Sequence, residues 1–300
     1  MTKTASATRA PSATNVSAIP LTGTFGARID GLDLGQTLSP SQYARIKELL
    51  YQFKVLVLHD QTTVGPRELL AFAGNFGTLE LTPHAAHKDY PGVTGVRVIV
   101  SSGIPVEVEK KQIADVPAVP WDSWHTDGSS RGPTQTEWTS FLQAVDIPEV
   151  GRDTLFADME AAYEGLSPAF QKFLVGLRAV HREGAAYARS QAGLKSPSSR
   201  APVEHPVILK DAVTGRNALY VNRLYTTHIV GMRPDESEAL LNFLFLQAHR
   251  PEYQLRVVWK PKSIVIWQNS RTQHYLVQDM AYRRIMHRVM TLEEQPEPVV

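Results

Sequence analysis

The chain has no cysteine among its 300 residues, which excludes disulfide frameworks, thiolate metal sites and cysteine nucleophiles together. It also lacks an excess of charge of either sign, because 31 Lys and Arg residues oppose 30 Asp and Glu residues and the formal net charge is +1. A nucleic-acid-binding domain usually carries a basic excess, so we expect no nucleic-acid partner. No apolar run of about 18 residues occurs, and we expect no membrane span and no membrane partner.

Acidic residues are missing from the start of the chain, where the first is Asp30. The opening residues are rich in Ser, Thr and Ala, a composition shared by transit peptides and disordered tails. Transit peptides are also basic, whereas Lys3 and Arg9 are the two basic residues before Leu21. We therefore predict a disordered tail over residues 1–18. Because this segment has no apolar core of the secretion type, we expect a cytoplasmic protein.

Helix and strand patterns follow one another along the rest of the chain. Helix patterns cover 39–53, 65–77, 167–180 and 234–250, and strand patterns cover 54–60, 137–147, 153–158, 205–210, 217–222, 263–269 and 283–292. The stretch DAVTGR between two of these strands predicts a hairpin turn. Many strands with helices between them and at one end predict an α+β fold, a jelly roll or β-sandwich with flanking helices. We expect one domain over 19–300, with a lid-like insertion at about 80–120 where the pattern is irregular.

The stretch WDSWHTDGSS at 121–130 places His125 two residues before Asp127. On a strand, side chains two apart share a face, so the imidazole and the carboxylate are expected to point the same way. Such a pair suits a divalent first-row metal. The pair also occurs for packing reasons alone, because a neutral histidine with one hydrogen bond is stable in a core. A third ligand decides between these interpretations.

His274 is the candidate third ligand. It follows SIVIWQNSRTQ, where an apolar strand gives way to a polar turn and a side chain can project into a cavity from a rigid backbone. His84 and His87, in the irregular segment, line either a pocket or the surface. Two histidines and one carboxylate leave three metal positions open, the pattern of non-haem iron(II) oxygenases.

Arg284, Met286 and Arg288 alternate along YRRIMHRVM and so share one face of a predicted strand. A buried cation requires an anionic partner, and no carboxylates alternate nearby. A bound dianionic acid is a natural partner, since a guanidinium and a carboxylate pair through two hydrogen bonds. The alternative is a basic edge strand that faces solvent.

Several stretches, in order, resemble the taurine dioxygenase (TauD/TfdA) family of iron(II)- and 2-oxoglutarate-dependent enzymes. They are WHTDGSS, GRDTLFADMEAAYEGLSP, HPVILKDAVTGRNALYVNRLYTTHIVGM, IWQNSRTQHY and RRIMHRV. The resemblance covers roughly residues 20–295 and implies a double-stranded β-helix (jelly roll). It also implies Fe(II) as cofactor, 2-oxoglutarate and O2 as co-substrates, and a homo-oligomer, either a dimer or a tetramer.

The same resemblance implies roles for individual residues. The implied iron ligands are His125, Asp127 and His274, and the residues implied to bind 2-oxoglutarate are Thr154, Arg284, Arg288 and Trp267, the tryptophan lying beside the iron. Arg288 is alternatively the residue next to the substrate anion. Gln268 stands where the family motif more often has aspartate, so hydrogen bonding around the metal is expected to differ here.

The substrate side departs further from the taurine enzymes. Thr82 aligns with the histidine that meets the sulfonate in those enzymes, although His84 is close by. Ser129, Ser130 and Arg131 follow the His-x-Asp pair, where taurine-type members carry larger residues. We therefore expect a roomier pocket for a small anionic molecule other than taurine, with Arg131 as a second cationic contact.

The expected reaction is hydroxylation of a C–H bond, with release of succinate and CO2. Within the same class, the alternative is a biosynthetic oxidase that forms a double bond or a ring on an amino-acid-like substrate. Outside it, a jelly-roll protein could hold a metal and an acid without turnover. A zinc hydrolase is a further alternative, but it requires a general base that we cannot assign.

Overall fold

A computed structural model describes residues 16–82, 88–101, 123–132, 137–183, 200–277, 283–292 and 297–298. The helices in these ranges are α1 (Pro40–Phe53), α2 (Pro66–Ala73), α3 (Met159–Glu164), α4 (Pro168–Leu174) and α5 (Pro234–Ala248). The strands are β1 (Ser17–Pro20), β2 (Ala27–Asp30), β3 (Val55–Leu58), β4 (Thr78–Leu79), β5 (Lys88–Tyr90), β6 (Val93–Ser101), β7 (Glu137–Asp146), β8 (Thr154–Asp158), β9 (Arg178–His181), β10 (Val203–Pro206), β11 (Ile208–Lys210), β12 (Asn217–Leu219), β13 (Thr226–Ile229), β14 (Gln254–Val257), β15 (Ile264–Gln268), β16 (Thr272–Leu276), β17 (Arg284–Leu292) and β18 (Glu297–Pro298). Short 3-10 turns lie at Pro251–Tyr253 and Asn269–Arg271.

One large sheet supports the fold. Its strands lie in the order β1-β2-β3-β15-β7-β17-β6-β5, and β4 pairs with β17. β2 and β3 run parallel, whereas β15 and β17 pair antiparallel with β7 between them. The last part of the chain thus returns to the middle of the sheet, which brings distant sequence motifs next to each other.

A smaller antiparallel sheet, β14-β8-β16, packs against the large one. The cluster between them takes Phe156, Leu255 and Val257 from the small sheet and Val265, Trp267 and Met286 from the large one. Two sheets whose inner faces interdigitate form a β-sandwich, the layered arrangement to which jelly rolls belong. The predicted α+β fold with a jelly-roll core is confirmed.

The sequence VLVL of β3 shows why this core forms where it does. Val55 and Val57 join the cluster between the sheets, whereas Leu56 and Leu58 pack under α1 and α2 on the opposite face. A strand covered on both faces is a continuous apolar run rather than an alternating one. The branched side chains suit the pleated surface.

Specific side-chain contacts define both ends of α1. α1 begins at a capping box, in which the Ser39 hydroxyl accepts from the Gln42 N–H at 3.3 Å and the Gln42 side chain accepts from the Ser39 N–H at 2.8 Å. The helix ends at Lys54, whose ammonium lies 3.0 Å from Asp158 and 3.2 Å from Glu160. All three charges are buried. This ion group ties the start of β3 to the end of β8.

Some predicted segments differ from the structure. The helix predicted over 167–180 ends at Leu174, and Arg178–His181 forms strand β9 instead, because Gly176 adopts a left-handed φ of 79° that turns the chain. β5 and β6 lie inside the insertion predicted at about 80–120 and pair at the edge of the large sheet. The β-branched stretch VTGVRVIVS forms β6, a strand pattern that the neighbouring Pro and Gly residues obscured. β1 begins inside the predicted tail over 1–18. Residues 1–15, 83–87 and 102–122 lie outside the described residues, so the tail and the lid stay predictions.

No helix in the described ranges combines the length and the apolarity needed to cross a membrane.

A buried pair of histidines predicts how stability changes with pH. The His181 and His205 rings lie 5.1 Å apart, and both contact Tyr220. Burial, the largest effect at each ring, lowers the pKa of His205 and lowers that of His181 well below its ordinary value. The unfolded chain therefore binds more protons than the folded one once the pH falls below about 6.5.

We expect the free energy of unfolding to be constant with respect to this pair above about pH 7.5 and to decrease as the pH falls from 6.5 towards 5. The decrease is at most about 1.4 kcal/mol per pH unit for each histidine. Urea unfolding at a series of pH values measures it. A His181→Gln variant should show a smaller slope than the parent chain, and an equal slope would contradict the assignment to this pair.

Candidate functional site

Two of the predicted ligands meet through their backbones. His125 and His274 form an isolated antiparallel bridge, in which each N–H donates to the other's carbonyl at 3.1 and 2.8 Å. The strand predicted around His125 is therefore reduced to a single residue, His125, in this bridge. Asp127 begins a turn in which Gly128 has a φ of 70°. A glycine adopts this left-handed conformation without steric cost. The bridge aligns the two histidines although they are far apart in the sequence.

The three predicted ligand side chains converge. The His125 Nε2 lies 3.3 Å from one Asp127 oxygen, and the His274 Nε2 lies 3.2 Å from the other. All three donor atoms lie within 4.8 Å of one another. Nitrogen and carboxylate donors at this separation suit one first-row divalent metal.

The protonation states also favour a metal. The His125 Nδ1 lies 2.7 Å from the Ser123 carbonyl, to which it can donate, and this leaves Nε2 as the free ligand atom. Burial, the largest effect, lowers the pKa of His274 to about 4, so its ring is neutral at pH 7. Burial opposes ionisation of Asp127, but Arg288 and the two histidines outweigh it and hold the pKa of this carboxyl well below its ordinary value.

The ring of His274 is oriented by packing. Its centroid lies 4.2 Å from that of His125, 5.3 Å from that of Trp267 and 6.0 Å from that of Phe156. In the described part of the chain, His274 Nδ1 has no hydrogen-bond partner. Trp267, predicted to lie beside the metal, is thus in contact with one ligand.

Asn269 was not predicted from the sequence, although it stands inside the quoted motif IWQNSRTQHY. Its Nδ2 donates to the Asp127 carbonyl at 2.7 Å, and its Oδ1 accepts from the Asp127 N–H and from the Trp267 indole, each at 3.3 Å. One fully buried amide thus holds the backbone of a candidate metal ligand. Gln268, predicted to alter hydrogen bonding at the metal, is next to Trp267 on a strand and so points to the opposite face.

We predict that Asn269→Asp weakens metal binding by about 10- to 100-fold, the usual cost of losing a group that orients a ligand. The substituted carboxylate keeps the acceptor but loses the donor to Asp127, and it places an anion beside that residue. Titration with Co(II) measures the change.

Asn242→Asp is the matched control, because the Asn242 oxygen accepts from Arg223 at 2.8 Å and the substitution keeps that acceptor. We expect its metal affinity to equal that of the parent chain. Equal affinity in the Asn269 variant as well would mean that the amide does not orient Asp127.

Arg288 lies next to the three candidate metal ligands. Its Nη2 donates to the Asp127 Oδ2 at 2.6 Å and to the Ser140 hydroxyl at 3.2 Å, and its guanidinium carbon lies 5.8 Å from the centre of the Trp267 ring. The strand that carries it, β17, lies inside the large sheet and not at a solvent-facing edge.

Arg284 and Thr154 lie on the same side of this interior. Arg284 is buried on the face of β17 that carries Met286 and Arg288, and its Nη1 donates to the Arg152 carbonyl at 3.1 Å. Arg152 is two residues before Thr154, at the start of β8. The Thr154 hydroxyl accepts from the indole of Trp259, which the sequence analysis did not single out, at 3.1 Å.

The residues predicted to contact substrate have different surroundings in the structure. The Arg131 Nη1 pairs with the buried Glu80 at 3.2 Å, and Glu80 also accepts from the Thr82 N–H at 2.6 Å. The Ser129 hydroxyl accepts from the buried Asn222 amide at 2.9 Å, and Ser130 is buried. His84 lies outside the described residues. Ser129 is thus held by the protein itself, and Arg131 already has one anion beside it.

A half-buried aromatic ring completes the surroundings of His125. The centroid of the Tyr225 ring lies 6.0 Å from that of His125, edge-on to it. The backbone N–H of Tyr225 donates to the side-chain oxygen of Asn222, the residue that holds Ser129. This side chain lies in the quoted stretch NALYVNRLYTTHIV, but no spacing rule in the sequence connects it with His125.

Comparison with known proteins identifies the fold's relatives. The family model described as "Taurine catabolism dioxygenase TauD, TfdA family" matches residues 17–290. The chain belongs to the TauD/TfdA family. A pentalenolactone F synthase of Streptomyces arenae is 30% identical over 91% of this chain and 93% of that protein. An alpha-ketoglutarate-dependent sulfonate dioxygenase of Saccharomyces cerevisiae is 33% identical over 86% of this chain and 62% of that protein.

Among solved structures, AAD-2 in complex with Mn(II) and N-oxalylglycine superposes with a TM-score of 0.76 and 25% identity, over 95% of this chain and 99% of that chain. The present chain is therefore an alpha-ketoglutarate-dependent dioxygenase, which is an oxidoreductase. The family resemblance found in the sequence is confirmed. The non-catalytic and zinc-hydrolase alternatives do not fit that membership.

Proposed function

We propose that this dioxygenase holds Fe(II) through His125, Asp127 and His274 and oxidises a C–H bond of a small anionic molecule other than taurine. The observation that carries the proposal is the convergence of these three donors beside the half-buried Arg288 and the buried Arg284. When bound, the iron supplies activation of O2 coupled to oxidative decarboxylation of 2-oxoglutarate, which yields succinate and CO2.

The donors fit a ferrous ion. His274 is neutral, Asp127 is ionised, and His125 presents Nε2 because its Nδ1 faces the Ser123 carbonyl. Because only one carboxylate and two imidazoles would hold the ion, coordination positions would remain for the co-substrate and O2. Asn269 and Arg288 hold Asp127 from its backbone and from its carboxylate, which keeps the set in place.

The co-substrate is held, in this proposal, by Arg284 and Thr154. A guanidinium can bind a carboxylate through two hydrogen bonds. A dianionic acid would also stabilise a buried arginine, because it offsets the cost of removing the charge from water. Their shared position in the jelly-roll interior orients the acid before reaction, which is the main contribution a protein makes to this chemistry. The buried Trp267 ring packs against His274 and so helps to orient that ligand.

The substrate class follows from the charges of the site. Arg284 and Arg288 give two cations to the face of β17 beside the ligands, so an anionic group fits there, whereas Arg131 is already paired with Glu80. By resemblance, Thr82 takes the place of the residue that meets a sulfonate in taurine enzymes. The relative described as a pentalenolactone F synthase supports a substrate other than taurine. Hydroxylation is the favoured outcome, and desaturation or ring formation is the alternative.

Incubation with Fe(II), ascorbate, 2-oxoglutarate and a panel of small carboxylates, sulfonates and sulfate esters tests the function. We expect succinate release that depends on iron and rises with one class of anion. A product heavier by one oxygen identifies hydroxylation, whereas loss of two hydrogens identifies the alternative. No iron-dependent succinate across the panel, or without substrate, would contradict the proposal.

We also propose that the protein acts in the cytoplasm as a homo-oligomer, a dimer or a tetramer. Phe173, Phe243 and Leu246 are 51%, 45% and 71% exposed and lie on α4 and α5, which are joined by contact of the Phe170 and Phe243 rings at 4.8 Å. Large exposed apolar groups that cluster in this way are typical of contact surfaces. Light scattering should give a multiple of the chain mass, and Phe243→Glu should reduce it.

A further inference from the structure

A single hydrogen bond links two buried side chains behind the proposed co-substrate site. The indole Nε1 of Trp259 donates to the Thr154 hydroxyl at 3.1 Å, and the two residues are 5% and 4% exposed. Thr154 opens β8, and Trp259 follows β14, the strand that pairs with β8. Nothing in the chemistry of the metal ligands requires this bond.

The bond determines which way the hydroxyl can donate. An indole N–H is a donor only, whereas a threonine hydroxyl has one hydrogen and two acceptor lone pairs. When the hydroxyl accepts from Trp259, one lone pair is directed at the indole and the hydrogen must point elsewhere. Among the described residues, Trp259 is the hydrogen-bond partner of the Thr154 hydroxyl, so the hydrogen remains available to an acceptor from outside the protein.

The surroundings show where such an acceptor would lie. Thr154 and Phe156 are two apart on β8 and share its inner face, and the Phe156 ring lies 6.0 Å from that of His274. On the other side, Arg284 reaches the Arg152 carbonyl at 3.1 Å, two residues before Thr154. Thr154 is thus two residues from a ring that contacts His274 and two residues from a carbonyl that contacts the buried Arg284, where an anion is expected.

We infer that Trp259 is a positioning residue: its indole N–H holds the Thr154 hydroxyl with the hydrogen directed at the carboxylate of 2-oxoglutarate that Arg284 anchors. The inference rests on the proposed function, because it assumes that this acid binds at Arg284. Trp259 itself touches neither the metal nor the co-substrate. It removes the rotational freedom of the hydroxyl before the co-substrate binds, which is the usual benefit of preorganisation.

A double-mutant cycle on the Mn(II)-loaded protein tests this, with calorimetric titration of 2-oxoglutarate as the readout. Thr154→Val removes the donor to a carboxylate and should weaken binding by about 10- to 150-fold, the range for a hydrogen bond to a charged group. Trp259→Phe should weaken it by about five-fold, the value of an ordinary hydrogen bond. The double variant should equal Thr154→Val within about two-fold, since the indole acts only through the hydroxyl.

Two further variants separate positioning from packing. Thr154→Ser keeps the hydroxyl and should bind 2-oxoglutarate nearly as well as the parent chain. Replacement of Trp259 by benzothienylalanine, which has the same shape with sulfur in place of N–H, should reproduce the effect of Trp259→Phe and serves if that variant does not fold. Affinity for Mn(II) should be unchanged in all of them.

The outcomes distinguish the inference from the function beneath it. If the parent chain binds no 2-oxoglutarate, the proposed function is wrong. If the parent binds it and Thr154→Val weakens binding, but loss of the indole N–H has no effect, the function stands and the role of Trp259 is overturned. Additive effects in the double variant would also overturn it, because they would mean that Trp259 acts through packing.

Discussion

Replacement of Asp127 by asparagine should lower metal affinity by at least about 100-fold and abolish iron-dependent succinate release. Loss of a group that merely orients a ligand costs about 10- to 100-fold, so loss of the anionic ligand itself should exceed that range. The amide keeps the size of the side chain but removes the charge that attracts the cation. It also removes the anion that lies 2.6 Å from Arg288.

The effect can be measured without turnover. A metal that binds the folded chain raises its unfolding free energy by RT ln(1 + [metal]/Kd), so a 100-fold weaker site loses about 2.7 kcal/mol at saturating metal. Thermal unfolding with and without Co(II), at about 100 times the Kd of the parent chain, should show a large metal-induced shift for the parent chain and almost none for Asp127→Asn.

Asp235→Asn is the control, because Asp235 lies exposed at the start of α5 and pairs with Arg233, away from the site. Its metal-induced shift should match that of the parent. If Asp127→Asn also kept the full shift, the metal would bind elsewhere and the assignment of the ligand triad would be wrong.

Replacement of Arg284 by methionine should weaken 2-oxoglutarate binding by about 30- to 5,000-fold, equivalent to about 2–5 kcal/mol, while metal affinity stays unchanged. Truncation of one member of a buried charged pair has that cost, because the other charge is left without its partner. Methionine fills a similar volume without the guanidinium, and Met286 on the same strand face already packs between the sheets.

Two variants test whether the guanidinium itself is required. Arg284→Lys retains the charge but not the planar fork, so we expect an intermediate loss. Arg256→Met removes a cation from β14, where Arg256 is exposed and pairs with Asp153 at 2.7 Å, and should leave binding unchanged. Calorimetry on the Mn(II)-loaded protein measures each. Full binding by Arg284→Met would place the acid at another site.

Local patterns predicted much of this fold. The hairpin predicted at DAVTGR is present, because β11 and β12 pair across it and the Asp211 side chain accepts from the N–H groups of Val213 and Thr214 at 2.8 and 2.6 Å. Its turn chemistry lies within a few adjacent residues, which is why sequence alone indicates it. Strands β5 and β6 were not predicted, because β6 pairs with β17, which is distant in the chain, and the surrounding segment has no clear period.

The candidate site shows the same division. The His-x-Asp pair was predicted from two local properties, namely the alternation of side chains along a strand and the metal-binding chemistry of imidazole and carboxylate groups. Arg284 and Arg288 were predicted as site residues because they lie on the same face of one strand. The sequence could not indicate that Glu80 pairs with Arg131, since ion pairs between distant segments follow no spacing rule. It also could not indicate that Ser129 is held by Asn222.

By itself, then, the sequence determined the types of ligand available, the neutrality of the chain as a whole and the apolar runs that become buried strands. These properties depend on composition and on neighbours within a few residues. Only the tertiary structure decided that His274 bridges to His125, that the Asn269 amide holds Asp127 and that Trp259 reaches Thr154. Each of those contacts joins segments that the pairing of strands brings together, and that pairing depends on the packing of the whole core.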